Sequence, residues 1–201
     1  MTTIRRILKI LFFGAITMLF VRCSLSTTIS SQYDEVLNTE RQRYDVVFSK
    51  NEIREQEYSQ TVSIIKERNN NGEMVYTMYD VITMPYGSFE LTDKMYIVID
   101  KKVIEMNNTT LENGVFTKLN ENTSSIMKAD SSKVDVVTGY SEQHLKTYKM
   151  TRILDNEIIE RILEANDVYL RYYAGPNLIT SEIKSYKLGA LKRMILQQNR
   201  Q

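Results

Sequence analysis

Between Tyr44 and Leu154, apolar and polar residues alternate with a period of two, and this pattern constrains the fold more than any other feature of the chain. Successive side chains of a β-strand point to opposite faces, so the alternation is typical of strands that cover a core. After Asp155 the apolar residues recur at the spacing of one helix face. Strands followed by helices predict an α+β domain, with a mainly antiparallel sheet and two C-terminal helices packed on one face.

Strands are predicted where β-branched and aromatic residues cluster between turn signals. The segments are 44–48, 58–66, 73–83, 95–100, 103–106, 134–137, 146–154 and 168–174. Both faces of 73–83 are largely apolar, which predicts a central strand covered on both sides. Residues 107–133 are rich in Asn, Thr and Ser, and they are predicted to form a long loop unless a strand over 115–119 interrupts it.

Two helices are predicted in the C-terminal third. Asp155 can cap the first, which carries an apolar stripe. The second is predicted to begin at Thr180 or at Ser185 and to end near Gln198. The residues expected to be buried on these helices are Ile158, Ile162, Leu163, Leu191 and Ile195.

The chain has 201 residues, of which 42% are apolar and 25% charged, as is typical of one globular domain. One cysteine and one histidine are too few for a disulfide scaffold or a zinc site, and no cofactor is expected. Beyond the four bases of residues 1–22, the chain has 22 basic and 25 acidic residues. Because nucleic-acid binding depends on clustered Lys and Arg, no nucleic-acid partner is expected.

A signal peptide is predicted at residues 1–22. Arg5, Arg6 and Lys9 form a basic start, and the 12 residues 10–21 carry no charge. A membrane-spanning helix needs about 20 apolar residues, whereas the apolar part of a signal peptide needs about 7–15. The length therefore favours a segment that directs export and is then removed.

The segment Leu19-Phe20-Val21-Arg22-Cys23 resembles the lipobox of bacterial lipoproteins. Cys23 is the only cysteine and lies where the lipobox cysteine lies, while the family's pattern has a small residue in place of Arg22. The resemblance implies cleavage before Cys23 and acylation of this residue, for example with palmitate. It also implies a place in the bacterial cell envelope, with the domain in the periplasm, outside the cytoplasm. The membrane is then a partner of the chain, and the outer membrane is favoured.

Two alternatives stay open at this terminus. Ser24-Leu25-Ser26 fits the small-x-small pattern of ordinary cleavage, which would release a soluble protein that begins at Thr27. In the other alternative, the apolar segment is retained as an uncleaved anchor. Residues 23–32 are small and polar and are predicted to form a lipid-anchored flexible tether, followed by a single domain over 33–201.

Candidate catalytic residues are few. His144 could form a triad with Ser141 or Asp135, but no G-x-S-x-G motif is present, and a solvated loop histidine is favoured. Paired carboxylates can hydrolyse glycosides, although acids at such spacings are also common in turns and first helical turns. The closest pairs are Glu90 with Asp93 and Asp155 with Glu157.

Tyr169, Arg171 and Tyr173 form the one candidate binding surface. By strand alternation they share a face, and Tyr and Arg are enriched in binding hot spots, so the stripe could hold a protein or glycan partner. Cross-strand packing beneath a helix, with Arg171 paired to an acid, is the favoured alternative.

These patterns favour an envelope-anchored lipoprotein that acts as a non-catalytic binding or structural module. A secreted hydrolase that uses paired carboxylates is one alternative. A membrane-anchored subunit of an envelope assembly is another. No motif in the sequence identifies the ligand.

Overall fold

Ten β-strands and two α-helices make up the regular structure of the residues that the computed structural model describes, which are 27–36, 38–53, 56–69, 71–128 and 132–197. The strands are β1 (Thr27–Asp34), β2 (Thr39–Ile53), β3 (Gln56–Arg68), β4 (Met74–Pro85), β5 (Leu91–Ile99), β6 (Lys102–Asn107), β7 (Thr110–Met127), β8 (Lys133–Leu154), β9 (Val168–Ala174) and β10 (Asn177–Glu182). The helices are α1 (Asn156–Glu164) and α2 (Ser185–Leu196). The predicted signal peptide and Cys23 lie outside the described residues.

The strands form two antiparallel sheets. Sheet A has six strands in the order β1-β2-β3-β4-β8-β7, and sheet B has four in the order β10-β9-β5-β6. Both helices lie in the C-terminal third, as predicted, and the domain is α+β. The change from a period of two to a helical period after Asp155 therefore coincides with the boundary between β8 and α1.

The core lies between the inner faces of the two sheets and is closed by the helices. Lys66 of β3 extends to the C-terminal end of α2, where its Nζ donates to the carbonyl oxygens of Met194 at 3.2 Å and Ile195 at 2.9 Å. The last carbonyls of a helix have no intrahelical partner and carry partial negative charge, so a cation is favourable there. This contact fixes α2 against sheet A.

Local turn chemistry explains two of the hairpins. Gly72, with φ of +83°, forms part of the turn between β3 and β4. Asp100 and Lys101 both have positive φ and connect β5 to β6, whose ends pair at Ile99 and Lys102. Two consecutive residues with positive φ match the right-handed twist of the flanking strands, which is why such turns connect tight hairpins.

Strand β4 is central, as predicted, but it is covered on only one side. It lies between β3 and β8, and Met78 and Ile82 are buried on its inner face. Tyr79 and Val81 on the opposite face each expose 37% of their surface. The prediction of cover on both sides is therefore wrong, because apolar side chains on an outer sheet face do not require a second layer.

The prediction of a long loop over 107–133 is wrong, but its alternative, a strand over 115–119, lies within the observed structure. Residues 110–127 form β7, which pairs with β8 along its whole length. Strand β8 in turn joins two segments that were predicted as separate strands. After Phe116 in β7 and before Leu145 in β8, the two strands leave the sheet as a solvent-exposed ribbon, here called the arm (residues 117–128 and 132–144). Because both faces of the arm meet water, its polar residues form strands without the apolar alternation that a buried strand shows.

Two further boundaries differ from the sequence-based prediction. Thr180 lies in β10, so the last helix begins at Ser185. Residues 177–182 turn back on β9 after Gly175, whose φ is +57°, and pairing with β9 outweighs the local helical pattern. At the other end, residues 27–32 form part of β1 and pair with β2, which differs from the prediction of a flexible tether through Gln32.

Replacement of Ile162 or Leu191 by alanine is expected to lower the free energy of unfolding by about 2–5 kcal/mol. Both side chains are 1% exposed, so each truncation leaves a cavity in the core between the helices and the sheets. The measurement is denaturant unfolding of each variant. Leu196→Ala is the matched control, because Leu196 is 68% exposed on the same helix as Leu191, and it should change stability by less than about 0.5 kcal/mol. Equal effects of Leu191→Ala and Leu196→Ala would contradict the proposed packing of α2.

Candidate binding surface

A buried ion pair joins two neighbouring strands of sheet A. Arg152 of β8 and Asp80 of β4 approach to 2.5 Å between Nη1 and Oδ2, and neither side chain is exposed to solvent. The two residues are diagonal neighbours, since Asp80 pairs with Met150 and Arg152 pairs with Met78. The charges therefore lie on the inner face of sheet A, beneath sheet B.

Hydrogen bonds extend this ion pair across the core to sheet B. The hydroxyl of Tyr172 on β9 donates to Asp80 Oδ2 at 2.8 Å, and Gln60 Nε2 on β3 donates to the Tyr172 hydroxyl at 2.9 Å. Ser181 of β10 donates to Gln60 Oε1. The network thus joins three strands of sheet A to two strands of sheet B, because buried polar groups require partners.

The electrostatics of the network keep Tyr172 in the role of a donor. Burial raises the pKa of Tyr172 well above 10, and the negative charge of Asp80 adds to this rise. Burial also raises the pKa of Asp80, while the Arg152 guanidinium and the hydrogen bond from Tyr172 oppose that change. The carboxylate is thus held by a cation and by a protonated phenol. This inward position of Tyr172 sets which side chains of β9 face outward.

The predicted stripe of Tyr169, Arg171 and Tyr173 lies on the outer face of sheet B. Val168, Leu170 and Tyr172 alternate with it and are buried. The partners of Arg171 on the flanking strands are Tyr96 of β5 and Thr180 of β10. The stripe is therefore central in the sheet, and residues of the neighbouring strands extend it sideways.

Tyr96 and Leu178 complete an aromatic face, defined here as Tyr96, Tyr169, Arg171, Tyr173 and Leu178. The rings of Tyr96 and Tyr173 meet edge to face, with centroids 5.8 Å apart and planes at 89°. Tyr173 and Leu178 are directly paired across strands and expose 40% and 45% of their surface. The sequence does not predict that Tyr96 and Leu178 belong to this face, because their position there depends on which strands are neighbours and not on spacing within one strand.

Arg171 is the cation at the centre of the aromatic face. Within the described part of the chain it forms no ion pair, and its buried Nε has no hydrogen-bond partner. Glu105, on the next strand but one, is engaged by Lys94 at 2.7 Å. The alternative in which Arg171 pairs with an acid is thus not observed, and α2 packs near β1 and β2 instead of over this face. An unpaired guanidinium on a sheet face rich in tyrosine can bind an anionic group.

The residues proposed for a catalytic triad are spread along the arm. His144 is exposed in β8, not in a loop, and its Nδ1 lies 3.0 Å from Thr117 Oγ1 across the ribbon. Ser141 interacts with Asn122, and Asp135 accepts a hydrogen bond from Ser125. The arm therefore separates the three residues and gives each one a different cross-strand partner.

Three of the four candidate carboxylates have structural partners. Glu90 accepts from Lys146 at 2.7 Å and from Tyr148, and these hydrogen bonds lower the pKa of Glu90. Asp155 caps α1 by accepting from the Ile158 amide at 2.8 Å. The remaining contact is an ion pair of Glu157 with Arg161, one turn later on α1. Asp93 is exposed in β5.

The buried network is the group that sequence reasoning missed. Gln60, Asp80 and Arg152 occupy inward positions in strands whose inward residues are mostly apolar, and a polar residue at an inward position of the alternation is the available signal. In the described ranges, no cluster of three or more His, Cys, Asp or Glu side chains could hold a metal ion. Neither described helix has the length and apolar character needed to cross a membrane. No family model matches the chain, and no match is found among curated proteins or solved structures.

Arg152→Met is expected to lower the free energy of unfolding by about 3–5 kcal/mol, because it leaves Asp80 buried without its counter-ion. Adding Asp80→Asn should recover a large part of this loss, since the uncompensated charge is then removed. Denaturant unfolding of the wild type, both single variants and the double variant closes the cycle. Additive effects of the two substitutions would show that the ion pair does not couple these strands.

Proposed function

We propose that the chain is an envelope-anchored bacterial lipoprotein whose domain is a non-catalytic binding module, and that the aromatic face is its contact surface. The observation that carries this proposal is Arg171, which lies among three tyrosines on the open side of sheet B without an ion-pair partner in the described residues. Tyr and Arg are enriched among the few residues that supply most of the binding energy of a protein interface. The structural engagement of Glu90, Asp155 and Glu157 gives the hydrolase alternative less support.

The geometry favours a protein over a glycan as the partner. A sugar ring stacks best on a flat and open aromatic face, whereas the rings of Tyr96 and Tyr173 stand nearly perpendicular. Such a pair presents an edge and a face together, beside the exposed Leu178. A protein surface with an apolar side chain and a carboxylate fits this combination, because the carboxylate can engage the Arg171 guanidinium in a charge-assisted hydrogen bond.

The proposed anchor places the domain close to a membrane. Three residues separate Cys23 from the first residue of β1. An extended chain spans at most about 3.6 Å per residue, so the four steps from Cys23 to Thr27 reach roughly 14 Å. A lipidated Cys23 would thus hold the edge of sheet A near the headgroups, while more than one acyl chain makes the attachment firm.

Arg171→Ala and Tyr173→Ala should each weaken binding of the partner about 30-fold, which corresponds to about 2 kcal/mol, because they remove the central cation and the most exposed ring of the stripe. The partner is first captured in intact cells by a photo-crosslinking amino acid at position 173 and identified by mass spectrometry. Its affinity for each purified variant is then measured by titration.

Tyr79→Ala is the matched control for this experiment. Tyr79 is as exposed as Tyr173, at 37% against 40%, but it lies on the outer face of sheet A. It should leave the affinity unchanged. Equal loss with Tyr79→Ala would overturn the assignment of the surface, and binding of purified cell-wall glycan with the same dependence on Arg171 would replace the protein partner by a glycan.

Cys23→Ser should abolish palmitate labelling and leave an unprocessed precursor, or a chain that is cut after Ser26. Arg22→Ala should speed processing, because a charge beside the scissile bond is costly to desolvate at the membrane. Metabolic labelling and the intact mass of each variant measure both effects. A wild-type mass that still includes residues 2–22 would contradict the lipoprotein proposal and favour an uncleaved anchor. A start at Thr27 without lipid would favour the soluble form.

A further inference from the structure

Strand β7 is a long and unprotected sheet edge. It lies at the end of sheet A, where one of its sides pairs with β8 and the other has no strand beside it in the described structure. Its 18 residues contain no proline, and apolar side chains project from it into solvent. The exposed fractions are 38% for Leu111, 62% for Val115, 45% for Phe116 and 59% for Leu119. Natural edge strands of this length usually carry devices that prevent pairing.

The backbone restricts how β7 could pair with a second copy of itself. In an antiparallel ladder, residues whose amide and carbonyl groups point toward the partner must face residues of the same kind. These residues alternate along a strand. In a symmetric pair, the two-fold axis therefore lies midway between the two copies of one residue, and that residue faces itself across the pair. Each register is thus defined by the residue that faces its own copy.

Charge selects one of these registers. Between Thr110 and Asn122, before the irregularity in the ladder, the charged residues are Glu112, Lys118 and Glu121. An axis through any of these three places identical charges opposite each other. An axis through Val115 places Glu112 opposite Lys118 twice, and no other axis in this segment pairs an acid with a base. Opposite charges in directly facing positions stabilise a strand pair, and like charges destabilise it.

The apolar side chains agree with the same register. Leu111 faces Leu119 of the other copy, and Val115 faces Val115, all on one side of the sheet. On the other side Phe116 faces Gly114, above which the structure has open space within 4 Å of the missing Cβ. An aromatic ring across from a glycine is a favourable arrangement at sheet edges.

We infer that two copies of the chain associate through antiparallel pairing of their β7 edges, with the two-fold axis at Val115. The pairing joins the two six-stranded sheets into one continuous sheet. Glu112 then lies between Lys149, its partner on β8, and Lys118 of the second copy. The aromatic face belongs to sheet B and takes no part in this contact, so the inference does not depend on the proposed function.

Charge reversal tests the register. Lys118→Glu should raise the dissociation constant of the dimer about tenfold, because two opposite-charge pairs become like-charge pairs. The double variant Glu112→Lys with Lys118→Glu should recover most of the lost affinity. Sedimentation of the purified full-length chain in detergent over a range of concentrations measures both. A monomer at all concentrations, or a dimer that is insensitive to Lys118→Glu, would overturn the inference.

Cysteine crosslinking tests the position of the axis. In a Cys23→Ser background, Val115→Cys places two thiols opposite each other and should give a covalent dimer on mild oxidation. Leu119→Cys is the matched control, because it is as exposed as Val115 but faces Leu111, and the two thiols would then be roughly 26 Å apart. Equal crosslinking of the two variants would show that β7 does not pair in this register.

Discussion

Asp80 and Arg152 form an ion pair without access to solvent, and the arrangement of both sheets follows from the need to surround it. Removing two charges from water is costly, and their attraction offsets that cost only when the remaining polar atoms have partners. Tyr172 and Gln60, which lie in different sheets, supply those partners to the carboxylate of Asp80, whereas the buried Nε of Arg152 has no partner among the described residues. A one-residue slip of β4 would turn Asp80 to the outer face and break the network, so the pair specifies register in addition to any stability it provides.

The same constraint determines which surfaces are open. Because Tyr172 must point inward to reach Asp80, the alternate residues of β9 point outward, which creates the aromatic face. Because Arg152 must also point inward, it determines which residues of β8 face the core. The pairing of β8 with β7 then determines which residues of β7 lie on the same face of the sheet. Leu111 pairs with Met150, which is buried, so the apolar residues of β7 continue the inner face of sheet A into solvent. Both proposed interaction surfaces therefore depend on one buried contact.

Alternation and capping were sufficient to predict the elements whose own residues determine their structure. The strand predicted over 58–66, which lies within β3, and the Asp155 cap belong to this group. Residues 110–127 could not be predicted in this way, because an Asn- and Thr-rich strand is stabilised by its neighbour rather than by its own pattern. For the candidate site, alternation found Arg171 and its two flanking tyrosines, whereas Tyr96 was brought to them by a pairing between strands far apart in the chain.

A lipid anchor and an edge-strand interface would reinforce each other physically. Association in solution loses translational and rotational freedom, and a short strand pair offsets this loss only in part. Two chains held on one membrane have already lost part of that freedom, so the same β7 contact is stronger between anchored copies than between free ones. A dimer formed in this way carries two aromatic faces, and a partner with repeated binding sites would then engage the second face at a high effective concentration. If both surfaces act in the same anchored molecule, weak contacts at Arg171 and Tyr173 would be enough to hold such a partner firmly.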